Sequence, residues 1–282
     1  MKERYQVLTI VTAPPNGDAL TGILYSQECL GFQEEESGGK LKVSAWFAED
    51  VSSIEERIQA ASRELNLSIF ECSASFQEYD PEEWLENFSR SFSGIDLEGV
   101  FFIHPPWVEP SPDVPVNILL EPGHAFGTGT HESTQLALLA LYPVLPGADS
   151  FLDVGTGSGI LAAAAGKINP GLDITICDID SMAVESAVET LANNGIEEIT
   201  AVTGGPEAFS GRDFQVVAAN LTSPVLISLQ EVLTSLASEF LVISGITAEQ
   251  RDYTLEKFLD AGFELEGSPE RNGWVSCLLR KA

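Results

Sequence analysis

The chain has 282 residues, 44% of them hydrophobic, which suits two folded domains with their own cores and argues against a disordered chain. Its formal net charge of −29 argues against a nucleic-acid substrate held through phosphates, because no basic footprint exists to release counterions. The scattered cysteines (Cys29, Cys72, Cys177, Cys277) form no Cys-x-x-Cys pair, and the apolar run at Val7–Val11 is broken by Thr9, so disulfides, a zinc cage, a signal peptide and a membrane span are all disfavoured and a reducing cytoplasm fits best.

Taken in chain order, Tyr5–Val11 reads as a strand, Asp18–Cys29 as a helix and Phe32–Glu36 as a strand. A turn at Gly38-Gly39 leads to a strand at Lys40–Phe47. Ser52–Leu65 sets Ile54, Ile58, Ala61 and Leu65 at helical spacing, and Ile69–Phe76 reads as a closing strand. This succession predicts a small ferredoxin-like α+β domain over residues 1–78, with no catalytic constellation inside it. A linker helix carrying Trp84, Leu85 and Phe88 is expected over residues 79–95. The strand Val100–His104 follows, and then the stiff crossing Pro105 to Pro112, whose prolines forbid a helix.

From Ser150 onward strands and helices alternate. Phe151–Val154, Ile174–Cys177, Ile199–Thr203, Gln215–Ala219 and Phe240–Ser244 are short apolar runs, as strands buried on both faces should be. Helices are expected at Ile160–Lys167, Met182–Asn193, Val225–Ala237 and Ala248–Ala261. Strands Phe263–Glu266 and Trp274–Leu279, with a turn at Asn272-Gly273, complete the pattern. Residues 96–282 are thus expected to form an α/β domain around a mostly parallel seven-stranded sheet ending in a reversed strand.

The first strand of that domain runs into Asp153-Val154-Gly155-Thr156-Gly157-Ser158-Gly159-Ile160-Leu161 and then a helix. Gly155 and Gly157 let the backbone turn tightly and approach a ligand without a Cβ in the way. A nicotinamide-binding turn would have glycine where Ile160 stands, so G-x-G-x-G disfavours an oxidoreductase. Taken alone, the glycines could be a structural turn; the next strand adds weight. It ends in Asp178-Ile179-Asp180, and Asp178 lies 23 residues beyond Gly155, where an acid can accept both ribose hydroxyls. Either acid could instead cap the helix that follows; the spacing favours Asp178 as the ribose ligand and Asp180, with Ser181, as the cap.

Two further stretches bear on chemistry. Glu121 to Thr134 is rich in glycine and threonine around Phe126, as expected of a loop that covers a ligand before a helix opens near His131. The fourth strand ends in Ala218-Ala219-Asn220-Leu221, placing Asn220 beyond the carboxyl end of the sheet, where its carbonyl could accept from an incoming amine. Helix capping is the plainer alternative for Asn220, but its placement at the switch point of the sheet favours a functional role. His104, His124 and His131 are too dispersed for a metal site, and none stands out as a base.

Together, Glu121-Pro122-Gly123-His124-Ala125-Phe126-Gly127-Thr128-Gly129-Thr130-His131, the glycine motif, Asp178-Ile179-Asp180 and Ala219-Asn220-Leu221 resemble the ribosomal protein methyltransferase family, whose founding activity modifies large-subunit ribosomal protein eleven. The resemblance runs from about Asp80 to the end and includes Ser244-Gly245-Ile246. It implies a class I (Rossmann-like) methyltransferase domain and S-adenosyl-L-methionine as cofactor. Phe126, Thr134, Gly155, Gly157, Asp178 and Asn220 are the cofactor-binding set expected here, with Asn220 also the catalytic candidate and no metal. The resemblance further implies methyl transfer to lysine side-chain and α-amino nitrogens of the ribosomal protein, docked by the amino-terminal domain. Departures are Thr156 where cysteine is common, His124 in place of an apolar residue, and Gly204-Gly205-Pro206-Glu207, which puts no acid directly after the third strand to read adenine. A basic partner also suits the acidic chain, although the low lysine content leans toward a salt-rich cytoplasm, and the two are not exclusive. Competing readings are methylation of another protein or a small-molecule amine, and a cofactor-binding adaptor without catalysis. The Asn-Pro-Pro-aromatic motif of glutamine and adenine methylation is absent after Asn220.

Overall fold

The computed structural model describes residues 3–17, 20, 23–24, 31–47, 54, 56, 58–60, 63, 69–79, 93–121, 129 and 131–282. The chain divides into two compact units, Met1–Phe92 and Ser93–Ala282. The expected linker helix falls almost wholly on residues outside those described.

In the first unit, β1 (Glu3–Thr12), β2 (Gly31–Ser37), β3 (Lys40–Phe47) and β4 (Ile69–Tyr79) form one sheet in the order β2-β3-β1-β4. All three pairings are antiparallel. Alternation along β3 turns Leu41, Val43, Ala45 and Phe47 inward. They join Leu8 and Ile10 of β1, together with Leu20, Ile23, Leu24, Ile54 and Ile58 from helical residues, in one buried cluster. Much of the two expected helices lies outside the described residues.

The second unit opens with a small sheet the sequence did not reveal, β5 (Ile95–Leu97), β6 (Phe101–His104) and β7 (Val116–Leu119). Only β6 was expected; β7 follows the proline-rich crossing, and four residues there are too few to show a period. Helix α1 (Glu132–Leu141) leads to β8 (Ser150–Val154), α2 (Ile160–Ile168), β9 (Asp173–Asp178), α3 (Ser181–Asn193), β10 (Ile199–Thr203) and β11 (Phe214–Asn220). Then come α4 (Ser223–Ser228), α5 (Gln230–Leu236), β12 (Ala237–Thr247), α6 (Arg251–Asp260), β13 (Phe263–Gly267), β14 (Glu270–Arg271) and β15 (Trp274–Lys281).

The large sheet runs β10-β9-β8-β11-β12-β15-β13, with β14 as an eighth strand beside β15. It is parallel through β12 and antiparallel at β15, as the expected reversed strand requires. Alternate residues serve opposite faces. Phe151, Ile174, Ile176, Val216 and Ala218 pack with Ala137 and Leu141 of α1 and with the alanines of α2. Leu152, Val154, Cys177, Val217 and Ala219 pack on Leu226, Leu233, Leu255 and Phe258 of the helices beyond. Both faces are covered, so these strands read as unbroken apolar runs; each large aliphatic so buried contributes about 1.5–3 kcal/mol.

The single helix expected at Val225–Ala237 is two. They break at Leu229, whose φ of −95° and ψ of 0° leave the helical region. The Ser228 hydroxyl donates back to the Val225 carbonyl at 2.7 Å, the kind of local bond that bends a helix. The helix expected from Ala248 begins at Arg251, after a turn in which the Gln250 N–H donates to the Thr247 carbonyl.

Candidate functional site

Strand order reverses between β8 and β11, whose carboxyl ends lie side by side with Val154 opposite Ala219. Open α/β sheets bind ligands at such a point. β8 leaves its last residue through Gly155 and Gly157 to Gly159, the amino-terminal cap of α2, and all three have left-handed φ (70°, 54° and 79°). The Gly155 and Thr156 N–H groups both donate to the Cys177 carbonyl, at 2.9 and 3.1 Å, which ties the turn to β9. A Cβ on Gly155 would sit 2.5 Å from Leu221 Cδ2, so the glycine lets the loop after β11 close over the turn.

The two acids after β9 divide their work. Asp180 Oδ1 accepts from the Met182 N–H at 2.9 Å and caps α3. Asp178 accepts from the Gly157 N–H through Oδ2 at 3.1 Å and from the Asp180 N–H through Oδ1 at 3.0 Å. Each Asp178 oxygen thus keeps lone-pair capacity for a hydroxyl. After β10, the Gly204 N–H donates to the Asp178 carbonyl at 2.8 Å, bringing Gly204–Glu207 alongside.

At the end of β11, Asn220 Nδ2 donates to Thr134 Oγ1 at 3.2 Å. Asn220 Oδ1 is buried and, among the described residues, has no hydrogen-bond partner. A Cβ on Gly245 would approach that oxygen to 3.2 Å, and the Leu221 carbonyl to 2.5 Å. Thr134 itself is buried in the first turn of α1, which His131 opens by accepting from the Ser133 N–H. Ser244 Oγ donates to the Ser133 carbonyl at 2.8 Å, fastening this turn to β12.

Asp153 lies beneath the turn, 1% exposed. Its Oδ2 accepts from the Thr156 hydroxyl at 2.8 Å, while Oδ1 has no hydrogen-bond partner among the described residues. Burial pushes its carboxyl up to about 7, with a smaller push from Asp178; Thr156 and the Ala162 N–H of α2 oppose. Burial, with the charge of Asp153 next, pushes the Cys177 thiol up to about 12, so it is no nucleophile at neutral pH. Glu132 is held below its usual value: burial would raise it, but the Asn272 amide, its own N–H, His131 and Arg271 together prevail.

The structure therefore brings Thr134, Gly155, Gly157, Asp178 and Asn220 together at the carboxyl ends of the interior strands. Phe126 and His124 lie outside the described residues. Ile179 was not anticipated: it stands 84% exposed directly after Asp178, with Met182 at 69%, an apolar surface fit for a flat ring. An isoleucine between two acids was its only signal. Asn194 was missed too. Its side chain accepts from the Leu119 N–H at 2.9 Å and donates to the Leu119 carbonyl at 2.7 Å, fixing the chain just before Glu121. In sequence Asn194 reads only as a helix end. An open polar cleft of about 560 Å³, lined in part by Asp149, Gln215 and Arg280, lies at the opposite end of the strands, away from these residues. Among the described residues, no three His, Cys, Asp or Glu are grouped to hold a metal, and no helix is long and apolar enough to cross a membrane.

Comparison with known proteins gives consistent matches. The family model described as ribosomal protein L11 methyltransferase (PrmA) matches residues 10–282. A protein named ribosomal protein L11 methyltransferase from Streptococcus thermophilus is 32% identical over 259 residues, covering 89% of this chain and 81% of its own. One of the same name from an Exiguobacterium species is 34% identical over 210 residues, covering 72% and 66%. A crystal structure titled ribosomal protein L11 methylase, from Lactobacillus delbrueckii subsp. bulgaricus, aligns with a TM-score of 0.62 at 29% identity, over 68% of this chain and all (100%) of that one.

Proposed function

This chain belongs to the ribosomal protein L11 methyltransferase family, and we propose that it transfers methyl groups to lysine side-chain and α-amino nitrogens of ribosomal protein L11 in the cytoplasm, with S-adenosyl-L-methionine as donor. The observation that carries the site assignment is the Asn220 amide: Thr134 fixes its NH₂ end, leaving a buried carbonyl oxygen that meets no donor among the described residues. Such an oxygen is costly to leave unmatched, and an amine N–H supplies the missing donor.

The residues fit the cofactor. The Gly155 turn presents backbone without a Cβ, the Asp178 carboxylate keeps acceptor capacity for two hydroxyls, and Ile179 offers an apolar face beside it. When bound, S-adenosyl-L-methionine supplies an electrophilic methyl group on a sulfonium sulfur. The protein's share is to orient and desolvate. Asn220 Oδ1 aligns the acceptor nitrogen through one of its N–H groups, and the Leu221 side chain, closed against the Gly155 turn, helps keep water away. Only a neutral amine carries a lone pair, and desolvation lowers the pKa of a lysine ammonium entering such a site.

In the same reading, residues 1–78 are a ferredoxin-like module that docks the substrate, residues 79–95 a linker, and residues 96–282 the catalytic domain. The antiparallel order β2-β3-β1-β4 supports the first of these, and a net charge of −29 complements a basic ribosomal protein.

The test is mass spectrometry of purified L11 after incubation with the chain and S-adenosylmethionine, at low and at molar salt. Mass gains in methyl steps, lost with Asp178→Ala, are expected. Cofactor binding without any gain at either salt would move the substrate to another protein or a small-molecule amine. Tight docking of L11 without methyl transfer to any acceptor would favour the adaptor.

A further inference from the structure

We infer that Arg271 is a positioning residue for methyl transfer, acting through Gln135 on the chain that carries Thr134 into the site. The inference rests on the function proposed above.

Arg271 lies in the short strand β14, on the hairpin that closes the sheet, 136 residues from Gln135 in sequence. Its guanidinium forks: Nη1 donates to Gln135 Oε1 at 2.7 Å and Nη2 donates to Glu98 Oε1. A guanidinium can only donate, so it fixes which end of the Gln135 amide it meets. The other end follows: Gln135 Nε2 donates to the Gly129 carbonyl at 3.2 Å. Gly129 is seated there, since a Cβ on it would lie 2.8 Å from Ile103 Cδ1 and 3.2 Å from Ile160 Cδ1. One side chain on the hairpin is thus linked through Gln135 to the Gly129 carbonyl, ahead of α1.

Two neighbours reinforce the grip. Asn272 Nδ2 donates to Glu132 Oε1 at 2.9 Å, and the Trp274 ring meets the His131 ring edge-on at 4.7 Å between centroids. The hairpin residues Arg271, Asn272 and Trp274 therefore hold His131, Glu132 and Gln135 around the first turn of α1. Thr134, whose hydroxyl orients Asn220, sits between the held positions. Arginine suits this place as lysine does not, because a planar fork reaches two acceptors at once while an ammonium is a point charge. Without the fork, Gln135 Oε1 loses its guanidinium donor, and the bond from Nε2 to the Gly129 carbonyl loses the support that orients the amide.

The test uses the full chain and compares Arg271→Ala, Arg271→Lys, Gln135→Leu and the Arg271→Ala/Gln135→Leu double variant, with Arg280→Ala as a charge-matched control near the far end of β15. Calorimetry gives S-adenosylmethionine affinity, steady-state assays on L11 give kcat and KM, and hydrogen exchange reports on residues 129–141. Arg271→Ala is expected to lower kcat/KM about tenfold, the lower end of what losing an outer supporting partner does. Gln135→Leu should match it, the double variant should be worse by no more than about twofold, and exchange in 129–141 should quicken. Arg271→Lys should recover only part of the loss, and Arg280→Ala should stay within about twofold of wild type. Losses that add in the double variant, or Arg271→Ala indistinguishable from Arg280→Ala, would overturn the inference while leaving the proposed function standing. A wild type that binds no S-adenosylmethionine overturns both. If it binds the cofactor but leaves L11 unmethylated, the substrate alone falls, and affinity and exchange still decide the role of Arg271.

Discussion

Asn220 and Thr134, 86 residues apart in sequence, meet at 3.2 Å with the amide donating to the hydroxyl. In the proposed site, this contact decides which end of the Asn220 amide is left to meet the acceptor amine. Replacing Thr134 with valine removes the acceptor and lets the amide turn, so its NH₂ rather than its oxygen faces the incoming amine. Thr134→Val is expected to lower kcat/KM about tenfold, the worth of roughly one buried hydrogen bond, and Thr134→Ser to restore most of it. Steady-state kinetics on the two variants check this; loss in Thr134→Ser with Thr134→Val close to wild type would mean that the threonine methyl group, not the hydroxyl, matters.

Asp178 joins the glycine turn to the end of β9 through two backbone N–H groups. If it also holds the ribose, Asp178→Ala forfeits charge-assisted hydrogen bonds worth about 1.5–3 kcal/mol each, and cofactor affinity should fall at least about a hundredfold. Calorimetry measures it. Affinity held within about threefold would remove Asp178 from the ribose.

Gly159 and Gly155 share a left-handed φ but have different neighbours. A Cβ on Gly159 would lie 2.8 Å from Ala187 Cα and 3.0 Å from its carbonyl oxygen, which are backbone and cannot yield. On Gly155 it meets the end of the Leu221 side chain, which can rotate. Denaturant titration should find Gly159→Ala destabilised by about 2–4 kcal/mol, combining backbone strain with overpacking. Gly155→Ala should lose about 1–2 kcal/mol.

The Asp153 carboxyl, raised by burial from 3.8 to about 7, gives stability a pH signature. The folded chain binds this proton more tightly than the unfolded chain, so the stabilisation is complete below the lower value. It is lost as pH climbs towards about 7, and no further change follows above that. Asp153→Asn cannot titrate. Its Tm relative to wild type should therefore rise across that window by several degrees, at about 2–4 °C per kcal/mol, then level off. A flat difference from pH 4 to pH 8 would place the proton elsewhere.

A formal charge of −29 repels itself in the folded state. Raising salt from about 0.1 to 1 M shortens the screening length from about 10 to 3 Å. Thermal unfolding followed by circular dichroism should show Tm rising with added sodium chloride, and a Tm that does not move would mean the surface acids are already balanced locally.

What the sequence determined by itself was the sheet domain and one edge of its site. Strands buried on both faces must be apolar throughout, so Phe151–Val154 and Gln215–Ala219 announce themselves. The glycines at 155, 157 and 159 and the acid at 178 are legible because a tight turn and a neighbouring strand end impose local spacing. Short elements carry no such period, so β5 and β7 went unseen, as did the break at Leu229. Tertiary structure alone decided the pairings: Asn220 with Thr134, Asn194 with Leu119, Arg271 with Gln135. Each joins positions at least 75 residues apart through one or two hydrogen bonds, and nothing in the local chain encodes the partner. Those bonds exist only once the packed sheet has brought its strand ends and closing hairpin against the first turn of α1.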